Sequence, residues 1–168
     1  MIFSALFLAL AFIIPFFTGH TPQINSMLCP MHIPIFLCGF ICGWQYGLLV
    51  GLCAPLMRSL MFGLPEFFPT ALCMAFELAA YGAIAGLLYK LLPKKIPFLY
   101  VSLISSMLIG RIVRAIATAA CCGVAGTPFA LSSFISAIVI YAIPGMILHI
   151  VIIPLIVMIA KKSKILKE

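Results

Sequence analysis

The chain has 168 residues, 65% of them apolar and 8% charged, with a mean hydropathy of +1.32. A soluble domain is roughly half apolar and about a quarter charged, and a chain this short leaves most residues near its surface, so water is excluded as the solvent for most of these side chains. Ten Lys and Arg stand against three Glu and no Asp, a net charge of +7, and no second soluble domain fits beside six membrane spans of about 20 residues each.

Ile2 to Phe17 is the first apolar run. It has no positive segment before it and no small-residue cleavage pattern after it, so it reads as a retained helix and not a signal peptide. A polar, Pro-containing stretch over residues 19–34 carries His20, Gln23, Asn25, Ser26 and His32. The second run, residues 35–42, is too short to cross a bilayer; its helix is expected to start near His32 or Pro34 and to be short or tilted. A turn is expected at Gly43-Trp44-Gln45-Tyr46-Gly47, followed by a third run over 48–62 and a compact loop over 63–69.

The fourth run, residues 70–92, is long enough to span and ends at Pro93-Lys94-Lys95. The fifth, 98–122, contains two arginines, and 123–133 reads as a Gly/Pro/Ser loop. The sixth, 134–160, includes Pro144 and Pro154, which are tolerated where neighbouring helices satisfy the freed backbone groups. The expected fold is an all-α membrane protein, a bundle of six transmembrane helices forming one domain over residues 1–168. Lys90, Lys94, Lys95, Lys161, Lys162, Lys164 and Lys167 make up seven of the ten cations and sit in two polar segments. That is the pattern of cytoplasmic loops and not of a nucleic-acid surface. Both termini are then cytoplasmic, with 19–34, 63–69 and 123–133 outside. Cys29, Cys38, Cys42, Cys53, Cys73, Cys121 and Cys122 are an odd set, mostly within apolar runs, and imply no disulfide framework.

Arg58, Glu77, Arg111 and Arg114 interrupt apolar runs. Each costs about 2.5–3.5 kcal/mol at a helix centre and needs a partner or a watery cavity. Counted from the helix ends at 1.5 Å per residue, Arg58 and Glu77 lie roughly 6–11 Å below the outer surface, and Arg114 and Arg111 roughly 12–17 Å below it. Arg111 and Arg114 share a helix face. Three Arg against one Glu describe a pocket open to the outside with a positive surplus, suited to the carboxylate of a small solute. The alternative is structural, with the charges pairing to hold helices together. Tyr81, one turn after Glu77, fits the same wall or the core; His149, mid-way along the sixth run, reads as a packing residue.

Small residues recur at spacings that let membrane helices approach closely: Ala5 and Ala9; Gly39, Gly43, Gly47 and Gly51; Ala75, Ala79 and Ala83; Gly82 and Gly86. The commoner meaning of such steps is internal packing, Ala5 and Ala9 excepted. His20, Met27, Cys29, Met31 and His32 give the first outer segment a soft-ligand composition, yet without a closed metal-site spacing. There is no GxxxxGK[ST] phosphate loop, no GxSxG and no HExxH, so neither ATP hydrolysis nor an intramembrane hydrolase is indicated. The lack of a strong internal repeat disfavours a self-sufficient secondary transporter. A small binder without a motor takes its energy from partners.

The chain resembles the substrate-binding S component of energy-coupling factor (ECF) vitamin transporters along nearly its whole length. The resemblance rests on Ala5-Leu6-Phe7-Leu8-Ala9, on the stretch from His32 to Phe40 followed by Gly43-Trp44-Gln45-Tyr46-Gly47, and on Gly110-Arg111-Ile112-Val113. It implies a non-enzymatic subunit of a bacterial cell membrane that binds a vitamin at its outer face and topples on a transmembrane coupling subunit driven by two cytoplasmic ATPases. It also implies that Ala5 and Ala9 face the coupling subunit and that the segments 19–34 and 63–69 cover the pocket. The candidate substrate-binding residues are Arg58, Glu77, Tyr81, Arg111, Arg114, His32 and Asn25, with no catalytic residue, metal ligand or cofactor. The positive surplus points to an acid such as pantothenate. The competing functions are a transition-metal uptake binder using His20, Cys29 and His32, and a membrane assembly or scaffold protein that binds no solute.

Overall fold

The computed structural model of the protein describes residues 2–17, 30–93, 95–125 and 143–162. Within them the chain forms six α-helices: α1 (Ile2–Phe17), α2 (His32–Cys42), α3 (Trp44–Phe62), α4 (Leu72–Leu91), α5 (Ile96–Ala125) and α6 (Ile143–Lys162). A π-helical turn, Phe67–Ala71, precedes α4. Each helix is one apolar run, because in lipid every backbone polar group must be satisfied within its own segment. Three segments, Trp44–Phe62, Phe67–Leu91 and Ile96–Gly123, are long and apolar enough to cross a membrane. α1 and α2 have 16 and 11 residues, fewer than the roughly 20 that a perpendicular span takes.

α2 begins at His32, where the polar stretch before it ends. One expected turn is shorter than its composition implies, and one expected loop begins later. Of Gly43 to Gly47 only Gly43 leaves helical geometry (φ 100°, ψ 166°), and the Gly47 N–H donates to the Gly43 carbonyl at 3.0 Å. One residue at positive φ is enough to redirect the chain, so Trp44, Gln45 and Tyr46 form the first turn of α3. At the other end of α5, Gly123 is helical and the helix runs on to Ala125, since a lone glycine weakens a helix without breaking it. Residues 126–133 of that expected loop, and 134–142 of the sixth run, lie outside the described residues.

The loop between α3 and α4 is closed by local bonds. Gly63 ends α3 in the left-handed conformation (φ 68°), with its N–H on the Ser59 carbonyl at 2.9 Å, an αL cap. The Ser59 hydroxyl reaches forward to the Pro65 carbonyl at 2.6 Å.

Close backbone contact sets how the helices run. A methyl group at Gly47 would stand 2.6 Å from the Gly82 carbonyl oxygen, and one at Gly86 would stand 2.6 Å from the Gly39 carbonyl and 2.7 Å from the Trp44 backbone. Gly51 likewise lies against the backbone of Leu78. α3 is therefore antiparallel to α4. Phe36 stacks on Tyr81 and Phe40 meets Tyr89 edge-to-face, so α2 runs parallel to α4. The starts of α2 and α4 and the ends of α3 and α5 thus point to the same end of the bundle, with His32 at the level of Tyr81. The glycine and alanine steps of α2, α3 and α4 are packing surfaces, whereas Ala5 and Ala9 are exposed on α1.

The exterior is apolar as well as the core, and several polar residues are buried. Leu60 (74% exposed) and Leu91 (70%) stand outside, while Glu77, Ser102, Ser106, His32 and His149 are buried. Such an exterior matches lipid. Gly82→Ala is expected to lower the melting temperature in detergent, through overpacking that costs about 1–3 kcal/mol. Gly123→Ala, which meets nothing within 4 Å, should be neutral or raise stability by about 0.5–1 kcal/mol. Equal melting of the two variants would contradict the close α3–α4 contact.

Candidate functional site

The polar centre of the bundle is built from two short spacings. Glu77 and Tyr81 are one turn apart on α4, and Arg111 and Arg114 are three residues apart on α5, so each pair shares a helix face. The side chain of Glu77 is fully buried. Its Oε2 accepts from Arg114 Nη1 at 2.7 Å, and its Oε1 pairs with Arg111 Nη1 at 3.2 Å. The Tyr81 hydroxyl donates to Oε1 at 2.7 Å. Three donors from two helices therefore satisfy one carboxylate. Gly110 makes this possible: a side chain there would strike the Tyr81 ring.

A row of rings continues from Tyr81 into α2 and α6. His32 lies 5.3 Å from Tyr81 between ring centroids, and Phe36 lies 5.0 Å from it. His149 stacks on His32 at 5.5 Å and 22°. Four helices thus meet at one level, at Glu77, Arg111, Arg114, Tyr81, His32 and His149.

Glu77 meets both Arg111 and Arg114 directly, although counting from the run ends put the arginines deeper than Glu77. Arg58 stands on a third helix, near the end of α3. The pairing of Gly47 with Gly82 and of Gly51 with Leu78 carries Arg58 to the level of Ala71 and Leu72, about 8 Å along the axis from Glu77. The surplus at the cluster is thus two guanidinium charges less one carboxylate, or +1. Asn25 lies outside the described residues, as do His20, Met27 and Cys29. Met31 and His32 are buried in the bundle, and among the described residues no three His, Cys, Asp or Glu side chains are grouped to hold a metal ion.

Glu77 meets each arginine at Nη1, and a guanidinium carries five N–H donors in all. Arg111 Nε is buried and meets no hydrogen-bond acceptor among the described residues. The two arginine side chains keep 16% and 24% exposure, unlike Glu77. The cluster therefore pairs a fully buried carboxylate with two partly exposed cations. The sequence pointed to Arg58, Glu77, Arg111 and Arg114 as a group, with Tyr81 fitting either their wall or the core. The parts it missed are Gly110 as the notch for Tyr81, Phe36, and His149 as a neighbour of His32. A histidine inside an apolar run is itself a signal; Phe36 and Gly110 carry none without the packing.

Removing the carboxylate leaves two partly buried cations facing each other. Glu77→Ala is expected to cost about 3–5 kcal/mol, as for breaking other buried pairs, and Tyr81→Phe about 1 kcal/mol. Thermal unfolding in detergent measures both; wild-type stability in Glu77→Ala would show that the ion pairs do not hold α4 to α5.

Comparison with protein families matches residues 1–161 to the family described as "ECF transporter, substrate-specific component". No curated protein and no solved structure matches the chain. Components of this family are membrane substrate-binding subunits of ECF importers and not enzymes; they bind small molecules and work with a transmembrane coupling subunit and ATPases. The match covers nearly the whole chain, and its apolar exterior and spanning helices agree with it: the protein belongs to the substrate-specific components of ECF transporters.

Proposed function

We propose that this S component captures a small carboxylate-bearing solute, pantothenate being the leading example, at a site centred on Arg111 and Arg114. The supporting observation is the pair of guanidinium groups that share one buried carboxylate and keep a net charge of +1. Glu77, fixed by Tyr81, holds the two arginines in place and offsets part of their desolvation cost. The solute carboxylate takes N–H groups that Glu77 leaves, Arg111 Nε among them, in the charge-assisted geometry that guanidinium favours. His32 lies within the same cluster through Tyr81. Arg58 and Asn25 complete the proposed set of substrate-binding residues.

The whole chain acts as one six-span domain of a bacterial cell membrane with both termini cytoplasmic, so that the 63–69 loop and the start of α2 face outward. The exposed Ala5 and Ala9 on α1 meet the transmembrane coupling subunit, and toppling on that subunit, driven by two ATPases, releases the solute inside. A smooth alanine strip suits this contact because lipid supplies no hydrophobic force between helices and close van der Waals approach must do so.

Two experiments test this function. Pantothenate at 100 times its dissociation constant should add about 2.7 kcal/mol of stability, and the corresponding alcohol should add little. Arg111→Ala should weaken binding by about 2–3 kcal/mol, ~30–150-fold in Kd. A neutral or cationic analogue that stabilised the protein as well as the acid would refute the anionic solute. Replacing Ala5 and Ala9 together with leucine should abolish uptake by cells and leave binding to the purified chain intact. Loss of both, or of neither, would remove the assigned role of α1.

A further inference from the structure

Cys73 and Cys121 are 48 residues apart in sequence, yet their Sγ atoms lie 3.6 Å apart across the α4–α5 seam. Cys73 is buried and Cys121 half-buried. Cys73 precedes Glu77 by one turn on the same face of α4, and Cys121 follows Arg114 by about two turns of α5. The thiols therefore sit just beyond the Glu77–Arg114 ion pair, towards the end where α5 finishes. The anion-binding function proposed above uses neither of them, and Cys122, the next residue, offers a built-in control.

We propose that Cys73 and Cys121 form a reactive dithiol that small-molecule disulfides convert into an interhelical disulfide, pinning α4 to α5 beside the ion pairs. Cys121, the more accessible thiol, attacks as thiolate on one sulfur of the small disulfide. A mixed disulfide forms and the other half departs as a thiolate, which takes up the proton Cys121 has lost. Cys73, as thiolate, then attacks the Cys121 sulfur from within the seam. The second half departs and takes the Cys73 proton. In sum, two cysteine thiols are oxidised and one small disulfide is reduced to two thiols. The sulfurs need to close by about 1.5 Å to reach bonding distance. In the orientation proposed above they lie in the outer half, on the side where disulfides persist. The chemistry itself does not depend on which solute the protein binds.

The test uses the whole chain in detergent, treated with oxidised glutathione and analysed by intact mass, free-thiol count and peptide mapping. Loss of two thiols, a single crosslink between the Cys73 and Cys121 peptides, and a rise of several degrees in melting temperature that reductant reverses are expected. Cys73→Ala should stop at a glutathione adduct on Cys121, and Cys122→Ser should crosslink like the wild type. A folded wild-type chain that keeps both thiols, or that crosslinks through Cys122, would overturn the proposal. Because the wild-type map decides alone, a variant that fails to fold does not weaken the test.

Discussion

A carboxylate placed among membrane helices cannot be left alone, and much of this structure follows from how Glu77 is satisfied. Its two oxygens take three donors, from Tyr81 on its own helix and from Arg111 and Arg114 on the next. A hydrophobic seam would let α4 and α5 slide against each other, because lipid is as apolar as leucine. Three directed bonds to one carboxylate fix register and rotation together. The cost of desolvating these groups means that the cluster contributes specificity of arrangement more than net stability.

Glycine supplies the complementary constraint. Gly39, Gly47, Gly51, Gly82 and Gly86 bring α2, α3 and α4 into backbone contact, where dispersion forces act over many atoms at short range. Gly110 has a different task. It leaves room on α5 for the Tyr81 ring, and without that room the hydroxyl could not reach Glu77. The packing of small residues and the satisfaction of a charge are thus one design: the first sets the spacing that the second requires.

The helices were legible in the sequence because lipid imposes a simple rule, namely that apolar runs are helical. α1 and the start of α2 fall where the change from polar to apolar residues puts them. The rule failed where composition looked like a loop but geometry needed only one residue. Gly43 alone makes the turn before α3, and Gly123 does not end α5. At the site, the spacings 77/81 and 111/114 expose shared faces, which are local properties. The depths were misjudged because they were counted from run ends, and helices of unequal length need not end level. The α3–α4 register sets the backbone of Arg58 about 8 Å along the axis from that of Glu77. Register between helices depends on which glycines meet, and nothing in one helix's own sequence states that.

The described bundle divides into a tightly closed part and a polar one. α2, α3 and α4 are locked by backbone contact, which side-chain motion cannot loosen. The α4–α5 seam is held at its centre by ion pairs whose arginines keep some exposure while the carboxylate has none. On the proposed function, an anion arriving at this seam would exchange or add hydrogen bonds without opening the hydrophobic core. Under the proposed function, capture and release therefore act on the polar seam, and the glycine-locked helices carry the load of moving in the membrane as a body. On that proposal the subunit needs both properties, and α4 is shared between them.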